Sequence, residues 1–269
     1  IPIDISKHVI DILCVASHYS NRYKSADGFL NQCSETSLVD HSFFLHRNTP
    51  ETIVEAFQEQ CLQSCQNTSI NTKNMVFIWK KFLETINVPN IIFHDTLITL
   101  FKDKLSCYDE DTDTFANVTS ARLPIVSSFL NFWDENMSEE HDEPEIEIDE
   151  ISTLFKKWSG KTFASVEDQF LIELIRHFYS EIIVIDDKYV VNIKCKLWDK
   201  RQEVIDALDL LKNVKGDNYE PQSIDSIYAD YVSKTSKPCV VSKQCFEKIS
   251  KEYLGDNLDS DGLITPWWS

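Results

Sequence analysis

His41, His46, Cys61 and Cys65 are four borderline or soft ligands that stand close together in the chain. Their H-x4-H and C-x3-C spacings lie within the range that holds zinc, which takes four N or S donors in a tetrahedron. Cys61 and Cys65 stand four apart in a helix-like run from Glu51 to Gln66, so both would face one partner, while His41 and His46 flank the apolar Phe43-Phe44-Leu45. Zinc is the one cofactor these residues suggest; the competing reading is cysteines buried on a helix and histidines in a loop. Ser159-Gly160-Lys161-Thr162 imitates the end of a phosphate-binding loop, but that loop needs a glycine where this chain has Phe155. There is no nucleophile elbow, H-E-x-x-H zinc helix or Gly-rich dinucleotide turn, and Asp186-Asp187 reads as a turn. No catalytic residue is assigned.

A different chemistry is written near the C-terminus. After Pro238, Ser242 is a suitable N-cap for a helix in which Phe246, Ile249 and Tyr253 face a core, leaving Lys243, Gln244, Lys248 and Lys251 outward. Cationic and amide side chains on one helix face suit phosphate contact and groove insertion. A solvated helix shows the same pattern, so the face is a candidate only.

These residues must be held by surrounding elements, which the apolar spacing predicts to be mainly helical. Val9, Ile12, Leu13 and Ala16 mark a first helix over Ile5 to Tyr23, followed by a turn at Gly28-Phe29-Leu30. Thr49-Pro50-Glu51 combines an N-cap, a proline at the first helical position and an acidic first turn, and so opens a second. Met75 to Ile86, the run through Leu97, Leu100, Phe101 and Leu105, and the aromatic stripe Val126, Phe129, Leu130, Phe132 and Trp133 each recur at helical spacing, with Pro89-Asn90 separating the first two. Further on come helices over Ile151 to Trp158 and Glu167 to Tyr179. A hairpin of Ile182 to Ile185 and Tyr189 to Ile193 turns at Asp186-Asp187-Lys188, and a helix follows from Ser223 to Ser233. Two helices and a hairpin suit a winged-helix-like unit; the C-terminal helix pair, closed by a strand ending Trp267-Trp268, repeats that logic.

The chain has 269 residues, 42% of them apolar and 12% aromatic, which is ample for packed cores; only 5 are glycines, which disfavours a β-rich fold. No apolar run approaches membrane-spanning length, and the opening Ile1-Pro2-Ile3-Asp4 lacks signal-peptide blocks, so no membrane partner is expected. A start without Met suggests a processed product or part of a longer chain. The formal charge of -18 argues against nucleic acid taken whole, yet residues 134 to 150 hold ten Asp and Glu and no Lys or Arg. That leaves -5 for residues 1 to 133 and -3 for residues 151 to 269. A self-repelling stretch containing Pro144 reads as a solvated linker, hence two lobes, 1–133 and 151–269, joined by 134–150. Eight cysteines without a dense framework read as reduced intracellular thiols, and the sequons at Asn67, Asn117 and Asn136 carry no weight without a secretory context.

Trp79-Lys80-Lys81-Phe82-Leu83, Leu123-Pro124 with Phe129 to Trp133, Leu154-Phe155-Lys156-Lys157-Trp158, Trp198-Asp199-Lys200 and Val241-Ser242-Lys243 with Phe246-Glu247-Lys248 are short aromatic and basic words. In these the chain resembles the region that follows the motor in superfamily 3, poxvirus-type primase-helicases of large DNA viruses. The resemblance implies a non-catalytic helical region of a viral DNA replication protein, with a C-terminal winged-helix unit. Its expected partners are nucleic acid, other replication proteins or the remainder of a longer chain, inside the cytoplasm or nucleus of an infected cell. The alternative is a protein-interaction or structural module whose acidic stretch spaces or mimics a polyanion.

Overall fold

Thr49 Oγ1 accepts the Thr52 N–H at 3.4 Å, and Asn71 Oδ1 accepts the Asn74 N–H at 2.7 Å. These two caps satisfy backbone donors that would otherwise be orphaned, and they start the two helices around which the first half of the chain packs. The computed structural model describes residues 8–105, 107–140, 145–160, 162–214, 222–235, 239–258 and 264. The chain is mainly α-helical and divides into two units, Ile1–Ala121 and Arg122–Ser269. Among the described residues no helix is long and apolar enough to cross a membrane.

The first unit opens with α1 (Val9–Tyr23), α2 (Ala26–Leu30) and α3 (Thr36–Arg47), none of which buries a residue. Gly28-Phe29-Leu30, expected as a turn, lies in α2, because Ser25 caps the Gly28 N–H at 3.0 Å. The core belongs to α4 (Pro50–Cys61), β1 (Gln63–Asn71), α5 (Thr72–Thr85), α6 (His94–Leu105), β2 (Tyr108–Asp109) and β3 (Thr114–Thr119). Its centre is Trp79, whose ring lies 5.3 Å from Phe57, 5.7 Å from Phe82 and 5.8 Å from Phe101, all four fully or almost fully buried. Strand order is β1-β3-β2, antiparallel, with a register shift between Ser64 and Ser69. There Asn67 and Asn117 take positive φ, and the Asn67 N–H donates to Asn117 Oδ1 at 3.3 Å.

The helix expected to run on to Gln66 therefore stops at Cys61. Leu62 is extended (φ -112, ψ 147), and the chain turns into β1 because β3 offers it a backbone ladder. All of β1 except the buried Ile70 and the half-buried Thr68 faces outward, so its polar residues give no alternating apolar signal.

The second unit runs α7 (Leu123–Asn136), β4 (Met137–Glu139), β5 (Ile146–Glu147), α8 (Ile148–Trp158), α9 (Asp168–Phe178), β6 (Val184–Ile185), β7 (Tyr189–Val190), β8 (Ile193–Cys195), α10 (Lys200–Val214), α11 (Ile224–Lys234) and α12 (Lys243–Leu254). The aromatic stripe of α7 meets that of α8, with Phe155 5.4 Å from Phe129 and 5.5 Å from Phe132. The expected hairpin is present as β6 and β7, turning through Asp186 and Asp187 at positive φ. A second core gathers Val204, Leu208, Ile227, Tyr231, Phe246 and Ile249 from α10, α11 and α12. Ile264 pairs antiparallel with Leu258, and its N–H donates to Gln222 O at 3.0 Å. The expected strand at Trp267-Trp268 lies outside the described residues.

The acidic stretch is built into this unit, and the division of the chain falls before it, at Ala121/Arg122. Met137–Glu139 pairs with β8 and Ile146–Glu147 with β7. Its self-repulsion is offset by cations and donors that the sequence supplies later. Glu147 meets Lys188 at 3.0 Å, Lys196 donates to Glu135 O at 2.9 Å, and Asp134 accepts the Tyr179 hydroxyl at 2.7 Å. Residues 141–144 are outside the described residues.

Among the described residues Trp79 Nε1 is buried without a hydrogen-bond partner, and the ring contributes by packing. Trp79→Ala is expected to lower stability by about 3–5 kcal/mol and Trp79→Phe by less than about 1.5 kcal/mol, read from urea-unfolding midpoints of the first-unit transition.

Candidate nucleic-acid interface

Apolar residues of α12 at helical spacing set which face looks outward. Phe246 stacks on Tyr231 at 5.2 Å and meets Tyr228 edge-on at 5.3 Å, while Cys245, Ile249 and Leu254 are buried beside it. The opposite face is left to Lys243, Gln244, Lys248 and Lys251, all exposed, so the four residues expected together do share one surface. Ser242 stands at the N-cap in extended conformation (φ -61, ψ 150), but its side chain accepts no capping hydrogen bond.

The charge of that face is smaller than its lysines suggest. Lys243 Nζ lies 3.0 Å from Asp225 of α11 and 3.8 Å from Glu247, and Lys251 Nζ lies 3.9 Å from Glu247. Asp225 holds the Lys243 ammonium above its ordinary range. Arg201 reaches Glu252 at 2.7 Å. Lys248 is the one lysine of the three with no carboxylate in ion-pair range among the described residues. The start of α9 offers a contrast: Glu167, Asp168 and Gln169 lie there, and the Arg176 guanidinium further along is held by Asp187 at 2.5 Å.

Behind α12 lies a buried polar network that sequence reasoning missed. Lys200, at the start of α10, ion-pairs with Glu150 of α8 and donates to Glu145 O at 3.1 Å; both side chains are buried. Glu203, one turn on, accepts the Trp198 indole N–H at 2.7 Å and the Tyr231 hydroxyl at 2.6 Å, and that hydroxyl accepts the Val241 N–H at 3.1 Å. The network thus ties α8 to α10, and α10 to α11 and the segment entering α12. Burial raises the Glu150 carboxyl, opposed by the Lys200 charge, and its second oxygen has no partner among the described residues. Burial also pushes the Cys239 and Cys245 thiols up to about 11, which keeps them protonated and weakly nucleophilic at neutral pH. The only hint in the sequence was Trp198-Asp199-Lys200, and Glu150 lies fifty residues away from it.

The proposed zinc ligands are not gathered. His41 Nε2 lies 2.5 Å from Asn87 O, His46 lines a groove with Leu38 and Phe43, Cys61 ends α4, and Cys65 stands exposed on β1. Among the described residues no three His, Cys, Asp or Glu side chains come together as a metal centre requires. Ser159 and Gly160 close the C-terminal end of α8, where Gly160 takes φ 63 and the Ser159 N–H donates to Phe155 O at 2.9 Å. A helix C-terminus presents carbonyls and repels phosphate; Lys161 itself lies outside the described residues.

Comparison with protein-family models, curated proteins and solved structures finds no match to this chain. The fold and site therefore define a class in physical terms alone: a mainly α chain of two units whose second unit presents a helix with a mixed, partly neutralised basic face.

Lys200→Met is expected to cost about 3–5 kcal/mol at neutral pH, because it leaves the Glu150 carboxylate buried and uncompensated. The sign of the pH dependence follows from the raised carboxyl: the variant's deficit shrinks as pH falls and Glu150 takes a proton. Combining Lys200→Met with Glu150→Gln removes both charges and recovers most of the loss at neutral pH, measured by urea unfolding at two pH values.

Proposed function

We propose that this chain is a non-catalytic accessory region of a viral DNA replication protein of the primase-helicase kind, and that it contacts nucleic acid through α12. The observation that carries the reading is the placement of Lys243, Gln244, Lys248 and Lys251 on the single exposed face of α12, the third helix of a three-helix unit. Element order supports it. In α10, α11 and α12 closed by the Leu258 and Ile264 pairing, Ile264 lies between the segment before α11 and the segment after α12. The same order appears in α7, β5, α8, α9, β6 and β7, where β7 lies between β5 and β6. Helix, strand, two helices and a hairpin whose last strand is central is the winged-helix arrangement, in which the third helix is the one that enters a groove.

Contact is made by phosphate neutralisation. Lys248 approaches the backbone directly, while Lys243 and Lys251 exchange Asp225 and Glu247 for phosphate oxygens and Gln244 reaches a base edge or a sugar. The competing carboxylates keep affinity modest and the salt dependence shallow. A second reading, a protein-docking module, is favoured by the acidic start of α9 at Glu167 and Asp168, which a phosphate backbone would avoid.

The test is fluorescence-anisotropy binding of the full chain to single- and double-stranded DNA across a salt series. Three phosphate contacts give a slope of log K against log salt of about -2.7 on duplex. The Lys243→Ala, Lys248→Ala, Lys251→Ala variant is expected to lose binding, and Asp225→Ala to bind more tightly by releasing Lys243. Absence of binding at low salt would sink the nucleic-acid reading and leave the protein-docking module.

A further inference from the structure

The helix α1 leaves its apolar residues in water. Ile10, Leu13, Val15 and Ile12 are 76, 63, 55 and 51% exposed, and no residue of the helix is buried. A helix of 15 residues with nothing buried has only marginal stability of its own, and apolar side chains gathered on one short element mark an interaction surface. The spacing says what kind of surface this is. Val9, Ile12, Ala16 and Tyr19 step by three, four and three, the seam that packs against another helix, and Leu13 and Val15 widen it on either side; Tyr23, next in the series, already packs on Phe29 of α2 at 5.0 Å.

Charge indicates which helix covers it. Asp11 and Arg22 stand eleven residues apart, about three turns, and so lie on the same side of α1 near its opposite ends. In the single chain Asp11 has His8 at 3.6 Å and Arg22 lies over the Tyr23 ring at 5.1 Å. If two copies of α1 run antiparallel about a twofold axis near Ala16 and Ser17, Asp11 of each comes level with Arg22 of the other, twice over. The setting also permits it: the chain carries a formal charge of -18, yet residues 8–24 hold a single carboxylate, Asp11, against Arg22 and Lys24. Here two acidic chains meet where local like-charge repulsion is least.

We propose that α1 is the docking surface for a second copy of this chain, forming an antiparallel helix pair whose orientation is set by reciprocal Asp11 and Arg22 contacts. Such a pair buries about 1,000 Å² in total, the lower end of specific interfaces, so the association is reversible at roughly micromolar concentration. It stands apart from the α12 reading and does not depend on it.

Sedimentation equilibrium of the full chain between about 1 and 100 μM reads the association directly. The expected result is a concentration-dependent monomer–dimer equilibrium that Ile12→Glu with Leu13→Glu abolishes, while circular dichroism shows the rest of the fold intact because α1 buries nothing. Asp11→Lys and Arg22→Glu alone each weaken it about tenfold through two like-charge contacts, and mixing these two variants restores it, since both contacts in the mixed dimer are then attractive. A chain that stays monomeric throughout overturns the proposal, as does a dimer that survives the Ile12 and Leu13 changes or a mixture that fails to recover.

Discussion

The ammonium of Lys200 lies buried against the Glu150 carboxylate, and the arrangement of the second unit depends on that pairing. Neither charge is tolerable there alone, because desolvation costs several kcal/mol per ion and is repaid only by the partner and by further hydrogen bonds. Lys200 secures these by also donating to Glu145 O, so a single side chain anchors the start of α10 to the segment that carries β5 into α8. From the next turn of α10, Glu203 reaches Trp198 and Tyr231, and Tyr231 reaches the backbone of Val241 just before α12. These buried polar contacts fix the segment that enters α12, while the packing of Phe246, Ile249 and Leu254 sets the direction in which its lysines face.

The same economy of charge governs the surface. A stretch with ten acidic residues would extend if left to itself, yet its strands find ladders and its carboxylates find Lys188 and Lys200. Cations used in this way are not available to a polyanion. On α12 too, Asp225 and Glu247 claim part of Lys243 and Lys251, which separates a phosphate-contacting helix of moderate affinity from a strongly basic one. Net charge is therefore a poor guide to this chain, because local pairing decides where positive potential survives.

Elements whose apolar residues repeat over several turns were legible: α5, α7, α8, α9 and α12 lie where their spacing puts them, and Thr49-Pro50-Glu51 marks the start of α4 to the residue. The β6 and β7 hairpin was legible from two β-prone runs around Asp186-Asp187. β1 was not, since its residues are polar and exposed and it exists because β3, some fifty residues on, pairs with it. That strand also takes Cys65 out of the helix of Cys61, so the helical spacing of four expected for the pair does not apply. Of the candidate site, the outward face of α12 could be read from helical period, whereas its carboxylate partner Asp225 on α11 could not.

The sequence by itself determined the helical character of the chain, the cap that starts α4 and the residues that α12 turns outward, because these follow from local backbone energetics and from periodicity over a few turns. Tertiary structure alone decided that an acidic stretch became part of a folded unit, that Lys200 and Glu150 met across fifty residues, and how much positive charge α12 retains. Those outcomes rest on desolvation and Coulomb terms between groups distant in sequence, and such terms have no value until the chain has brought the groups together.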